Sequence, residues 1–242
     1  MIQSIFAFFL LSSIMILSRV FYRHEGQWLG DIPARDWGRL RALVVLNHTS
    51  LFEPLLAGFG NWRLFWLFSR HGLLPIAEKT MKRRIGVLFR FLVRHPIVIT
   101  RQRDHTWESV LNKIDDQSIV IILPEGRMKR ADGLDATGRP LTVRGGIADI
   151  LEPLENGRIL MVYSGGLHHI QIPGESRWPK LFKTIRANLE ILEIDAYKAS
   201  VANEAGDGDF RKALIQDLTR RRDLHCPPLE DPSLRTQEGV GH

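Results

Sequence analysis

Cysteine is almost missing from this 242-residue chain, with Cys226 the single one. One cysteine excludes an internal disulfide and a cysteine-rich zinc site, and it fits a reducing compartment. Charge is missing from the first 18 residues, "MIQSIFAFFLLSSIMILS", after which Arg19 and Arg23 follow. No basic stretch precedes that apolar run and no small-residue cleavage site ends it, so a secretory signal fits poorly. A membrane-associating helix fits better. A span needs about 20 apolar residues, and Gln3, Ser4, Ser12 and Ser13 dilute this one, so an interfacial or half-inserted helix is expected as readily as a crossing. If it crosses, the trailing arginines are expected to place the rest of the chain on the cytoplasmic face of the inner (plasma) membrane. Acids are missing from residues 70–103, where Glu78 alone faces a run of lysines and arginines. With Ile85, Val87, Phe89 and Phe91 interleaved, part of that stretch suits a lipid surface.

What is present supports a folded domain, since 44% apolar and 25% charged residues in this length bury a sizeable core. The net charge of +6 favours an anionic partner. No nucleic-acid-binding motif accompanies it, and membrane lipid is the preferred partner. Short β-rich runs alternate with longer amphipathic ones, the pattern of an α/β domain with a mixed central sheet flanked by helices. Strands are expected at Ala42–Leu46, Leu64–Phe68, Ile97–Thr100, Ile119–Leu123, Ile159–Tyr163 and Leu189–Ile194. Helices are expected near 51–59, 78–94, 105–115, 144–154 and 208–222. The expected organisation is a membrane anchor over 1–25, a catalytic domain over 26–225 and a disordered tail over 226–242.

Within this frame, "VVLNHTSLFEP" (44–54) ends a buried strand on an Asn–His pair and places an acid five residues after the histidine. Five residues of continuous α-helix would leave His48 and Glu53 about 140° apart. A bend brings them together, and Thr49 and Ser50 as helix caps with Pro54 in the first turn supply one. His48 then sits at a strand end facing a helix N-terminus, whose dipole is expected to keep the imidazole neutral. Glu53 would orient the ring, making a general-base pair. A second stretch, "SIVIILPEGRMKR" (118–130), ends a strand on Pro–Glu–Gly and delivers Arg127, Lys129 and Arg130, with Gly126 free to bring the turn close to a ligand. A third, "HPIVITRQR" (95–103), ends a strand on Arg101. Together they suggest a phosphate site beside a base. His168 and His169 lack further nearby ligands, so no metal is expected.

In order and spacing, "NHTSLFE", "PIVITR" and "LPEGRMKR" resemble the blocks of the lysophosphatidic acid acyltransferase (PlsC-like) glycerolipid acyltransferases. "VRGGIADIL" (143–151) resembles the segment with a Lys-x-Gly core that follows. The resemblance covers about residues 40–165. It implies an α/β acyltransferase fold, and transfer of a fatty acyl group from acyl-coenzyme A or acyl carrier protein to a lysophospholipid hydroxyl, with no cofactor beyond that co-substrate. It assigns His48 as base, Glu53 as its partner, Arg101 and Arg127 as the phosphate grip, and Glu125 and Gly126 as the loop that shapes it. Lys129 and Arg130 are implied as further substrate contacts. Two departures stand out. Glu53 replaces the usual aspartate, as in the similar lauroyl-type acyltransferases of lipid A synthesis, and Arg127 directly follows Gly126, as in the FPEGK block of tafazzin-like transacylases. Phospholipid transacylation and a non-catalytic basic lipid-binding role are the competing readings.

Overall fold

The computed structural model describes residues 2–30, 37–83, 86–100, 104–130, 132–135, 137–172 and 178–228. The chain opens with α1 (Ile2–Phe21) and two short strands, β1 (Arg23–Glu25) and β2 (Trp28–Leu29). After β3 (Leu40–Leu46) come a 3-10 helix at Glu53–Phe59, α2 (Trp62–His71), β4 (Gly72–Ala77), α3 (Glu78–Met81), α4 (Gly86–Phe89) and β5 (His95–Ile99). Next are α5 (His105–Leu111), β6 (Ile119–Ile122), α6 (Gly146–Leu151) and β7 (Arg158–Ser164), followed by β8 (Thr184–Glu193), α7 (Ile194–Ala205) and α8 (Phe210–His225).

The strands form one mixed sheet in the order β1-β8-β7-β3-β6-β4-β5, with β2 also pairing β8. Every pairing is parallel except β7 with β8. β3 lies between β7 and β6, with Val44 in register with both Met161 and Ile122. Its side chains alternate between two cores, because successive Cβ atoms leave a strand on opposite faces. Ala42, Val44 and Leu46 pack with α6, α7 and α8, while Val45 packs with α1 and α2. Truncating the fully buried Leu46 to alanine would cost about 2–5 kcal/mol.

A stripe of mostly small residues on α1 is buried: Ser4, Ala7, Leu11, Ser12, Met15 and Ser18. Small side chains let the helix lie close on the domain. Ser18 Oγ donates to the Leu55 carbonyl at 2.7 Å, and Arg19 reaches the carbonyls of Gly58 and Gly60 at 2.9 and 2.8 Å. The opposite face exposes Ile2, Ile5, Phe6, Phe9, Ile16, Leu17 and Val20. By length and composition this 20-residue helix is apolar enough to cross a membrane.

Several expected elements differ. Leu64–Phe68 is helical, because Asn61 caps α2 by accepting from the Leu64 amide at 3.0 Å, and because burial of Leu64, Phe65 and Phe68 beside exposed Trp62 and Trp66 follows the helical period. The expected helix over 78–94 is two short ones, α3 and α4. A Cβ on Gly86 would lie 2.3 Å from the Thr80 carbonyl oxygen, so α4 begins folded back against α3. The helix expected over 51–59 is a 3-10 helix confined to Glu53–Phe59, and Phe52 at its N-cap makes no side-chain bond. The expected tail starts too early: Cys226 accompanies the end of α8 and packs on the core, while residues 229–242 lie outside those described.

Candidate active site

The C-terminal end of β3 is held by a neighbouring acid. Asn47 adopts φ +66°, a left-handed conformation that asparagine tolerates better than most side chains. Its amide N–H donates to Glu125 Oε1 at 2.9 Å and the His48 amide to Glu125 Oε2 at 2.7 Å. Asn47 Nδ2 donates to the Ser164 carbonyl at 2.8 Å, and the Lys129 amide to the His48 carbonyl at 2.7 Å. Glu125 is fully buried. It braces the backbone under the histidine and, although implied as a substrate-binding residue, does not itself line the cavity that His48 lines.

His48 Nδ1 stands 3.0 Å from Glu53 Oε1, but off the line of the ring N–H, so the contact is a close electrostatic one that becomes an ion pair when the ring takes up a proton. The same carboxylate oxygen accepts the amides of Thr49 at 2.9 Å and Ser50 at 2.8 Å. These two donors hold Glu53 independently of the ring. Thr49 and Ser50 do not cap a helix. Instead the Thr49 hydroxyl accepts the Leu167 amide, and the Ser50 hydroxyl accepts the Phe52 amide and donates to Gln171.

The electrostatics also depart from the dipole expectation. Burial favours the neutral ring, but the charge and contact of Glu53 and the charge of Glu125 outweigh it, and the His48 pKa lies above the ordinary histidine value. Two carboxylates, rather than a helix N-terminus, set the titration of this ring. Burial likewise pushes the Glu125 pKa up, against the opposing pull of the His48 and Asn47 amides and the charges of His48 and Arg222.

His48 and Glu53 line a cavity of about 710 Å³ that extends from the strand ends into the core beneath α1. Its deep wall is apolar and includes Leu11, Trp37, Phe65, Phe68, Leu160 and Val162. Its mouth is cationic, with Arg127, Arg144 and Arg211 beside Gly126. Arg127 Nη1 is fixed by Asp135 and by the Thr137 hydroxyl at 2.8 Å. Arg211 is committed to Asp149 and to the Gly145 carbonyl. Arg144 is exposed and makes no side-chain hydrogen bond or ion pair among the described residues.

Of the residues singled out from sequence, His48, Glu53, Gly126 and Arg127 meet at this cavity. Gly126 takes φ +63°, a conformation that suits glycine. Lys129 and Arg130 do not line the cavity; Lys129 contributes its backbone, donating to His48 and accepting from His168 Nε2 at 2.7 Å. Arg101 lies outside the described residues. Arg144 and Arg211 were missed, although Arg144 sits in the quoted 143–151 segment, where an arginine followed by two glycines at a helix start was the available signal. Among the described residues no group of histidines, cysteines and acids is placed to hold a metal.

No protein-family model and no curated protein matches the chain by sequence. Among solved structures, the chain is similar to the 1-acyl-sn-glycerophosphate (LPA) acyltransferase PlsC from Thermotoga maritima. The two share 18% identity and a TM-score of 0.51, over 88% of this chain and 78% of that one. At that identity the likeness establishes architecture: this chain has the α/β fold of the Thermotoga acyltransferase structure, a central sheet flanked by helices with an apolar N-terminal helix.

Proposed function

We propose that the protein is an acyltransferase that moves a fatty acyl group from a thioester, acyl-coenzyme A or acyl carrier protein, to the hydroxyl of a lysophospholipid such as 1-acyl-glycerol-3-phosphate. One observation carries the reading: a partly buried His–Glu pair lines an apolar cavity beside a cluster of arginines. This arrangement suits a substrate with an anionic head and a hydrocarbon tail. With Nδ1 turned to Glu53, Nε2 is the nitrogen left to take the acceptor's proton. The acceptor oxygen attacks the thioester carbonyl, the carbon–sulfur bond breaks, and the proton held by His48 passes to the departing sulfur. Glu53 stabilises the imidazolium between these steps. Arg127 and Arg144 bind the acceptor phosphate, and Arg101 remains a proposed third contact. Each charge-assisted bond of this kind is worth about 1.5–3 kcal/mol.

The membrane reading rests on α1. It is fastened to the domain from Ser4 to Arg19, so it cannot stand upright in a bilayer without drawing the domain in with it. It lies in the interface, its exposed face toward the acyl chains. At its far end Phe21 packs on Phe182 with ring centroids 6.0 Å apart, and Trp178 and Phe182 are exposed, with Lys180 between them in sequence and Lys183 following. Aromatic residues flanked by cations suit the headgroup region.

The test offers labelled acyl-coenzyme A, acyl carrier protein and phospholipid donors to the full-length protein with lysophosphatidate. Thioester-dependent transfer that His48→Ala abolishes is expected. Transfer retained by His48→Ala would overturn the mechanism. Transfer from phospholipid alone would favour the transacylase alternative, which the placement of Arg127 directly after Gly126 resembles. The membrane arm compares vesicle flotation of the native chain with Trp178→Ser/Phe182→Ser, where weaker binding is expected.

A further inference from the structure

The C-terminal helix reaches the active site from behind. Arg222, in the last turn of α8, places Nη1 3.8 Å from Glu125 Oε1. The same Nη1 donates to the Leu141 carbonyl at 2.9 Å, while Nε and Nη2 are held by Asp223 at 2.9 and 2.8 Å. The guanidinium is thus oriented from outside with one nitrogen turned inward, and its side chain is only 15% exposed. Glu125 accepts two backbone amides, and each of its oxygens serves one of them. A buried carboxylate without a countercharge is strongly disfavoured and tends to take up a proton. The hydroxyl oxygen of a protonated carboxyl is a poorer acceptor than a carboxylate oxygen, so one of the two amides would be held less firmly.

We propose that Arg222 is a positioning residue for the transfer reaction: its guanidinium supplies the countercharge to buried Glu125, and through that carboxylate it fixes the backbone of Asn47 and His48. The proposal rests on the reading of His48 as the base. The ionisable groups that face Glu125 are His48 at the end of β3, and Arg222 and Cys226 from α8. Burial pushes the Cys226 thiol up to about 12, so it stays neutral and leaves Arg222 as the permanent cation. Arg222 also braces the chain from the other side. Leu141 leads into Arg144, whose amide donates to the Pro124 carbonyl at 2.8 Å, so the segment that offers Arg144 to the mouth is tied to the same cluster.

Arg222→Met and Arg222→Lys, made in the full-length protein, separate a countercharge from a simple staple. The first readout is the His48 ring titration, followed by NMR of labelled histidine and assigned with His48→Asn. In Arg222→Met, Glu125 becomes neutral and ceases to raise the ring, so the His48 pKa falls by about half a unit or more. The second readout is kcat/KM, expected to fall about tenfold or more at pH 7. That deficit narrows as pH rises, as Glu125 ionises without help. Arg222→Lys restores both. An unchanged ring titration, or a deficit equal at every pH, would overturn the proposal. If the methionine variant does not fold, Arg222→Gln, whose amide can keep the bond to Leu141, is read the same way. The titration needs no substrate, so a shifted ring in a protein without acyl transfer would retain the coupling and reject the proposed function.

Discussion

Replacing Glu53 by glutamine removes a charge while leaving the local scaffold in place. The glutamine carbonyl can still accept the Thr49 and Ser50 amides, now bonded at 2.9 and 2.8 Å. What disappears is the negative charge 3.0 Å from His48 Nδ1. If that contact supports the imidazolium with the strength of a charge-assisted bond, about 1.5–3 kcal/mol, the maximal rate falls by roughly 10- to 150-fold. The pH profile moves the other way. Glu53 raises the His48 pKa against burial, so without it the ring stays neutral to lower pH and the acid limb of kcat/KM shifts downward. A lower plateau with a more acidic limb is the signature, read from labelled acyl transfer to lysophosphatidate between pH 5 and 9. An unchanged plateau, or a limb that moves upward, would refute the role given to Glu53. Glu53→Ala is the contrasting variant because it also strands two buried amides, at about 1–3 kcal/mol each. Its melting temperature should drop by several degrees, at about 2–4 °C per kcal/mol for a domain of this size.

Arg144→Ala should raise the KM for lysophosphatidate about tenfold with little change in fold, since its guanidinium has no partner among the described residues to strand; titrating acceptor at saturating donor checks this. Val162→Phe narrows the cavity, so kcat/KM for long acyl chains should fall relative to short ones, by about fourfold for each methylene no longer accommodated, at ~0.8 kcal/mol per group. Competition between 16- and 10-carbon thioesters measures it. His48 also links stability to pH. Its pKa is raised in the folded protein, so its contribution is complete below the unfolded value, about 6.5, and is lost as pH rises through the folded value. Chemical denaturation of the native chain and His48→Asn should therefore differ in slope above about pH 6.5.

The apolar runs of β3 and β7 and the β-branched run of β6 made those central strands legible, because burial on both faces leaves continuous hydrophobic stretches. β4 was hidden by Pro75, which argues against a ladder position. Pro75 is tolerated because β4 pairs β6 only at Gly72 and Leu73, leaving that side of the strand unpaired at the proline. α2 was misread because its aromatic run looks β-like, while its deciding feature is the Asn61 cap. At the site, short-range geometry was readable: a bend must bring Glu53 back toward His48. Contacts across the chain were not. Nothing local to Glu125 announces that it accepts amides 77 and 78 positions away, nor that Arg222 closes on it from the last helix.

The two faces of the sheet divide their duties. The chamber beneath α1 is built from the layer that holds Val45, Leu160 and Val162, whereas Arg211 and Arg222 act from α8 on the opposite layer. Under the proposed acyltransferase reading, remodelling the chamber would retune chain length while the Arg127 and Arg144 contacts proposed for the headgroup stay fixed, and changes in α8 would leave the chamber's Val45, Leu160 and Val162 wall as it is. Two traits that share one reaction centre are thereby free to diverge separately among descendants of this sequence.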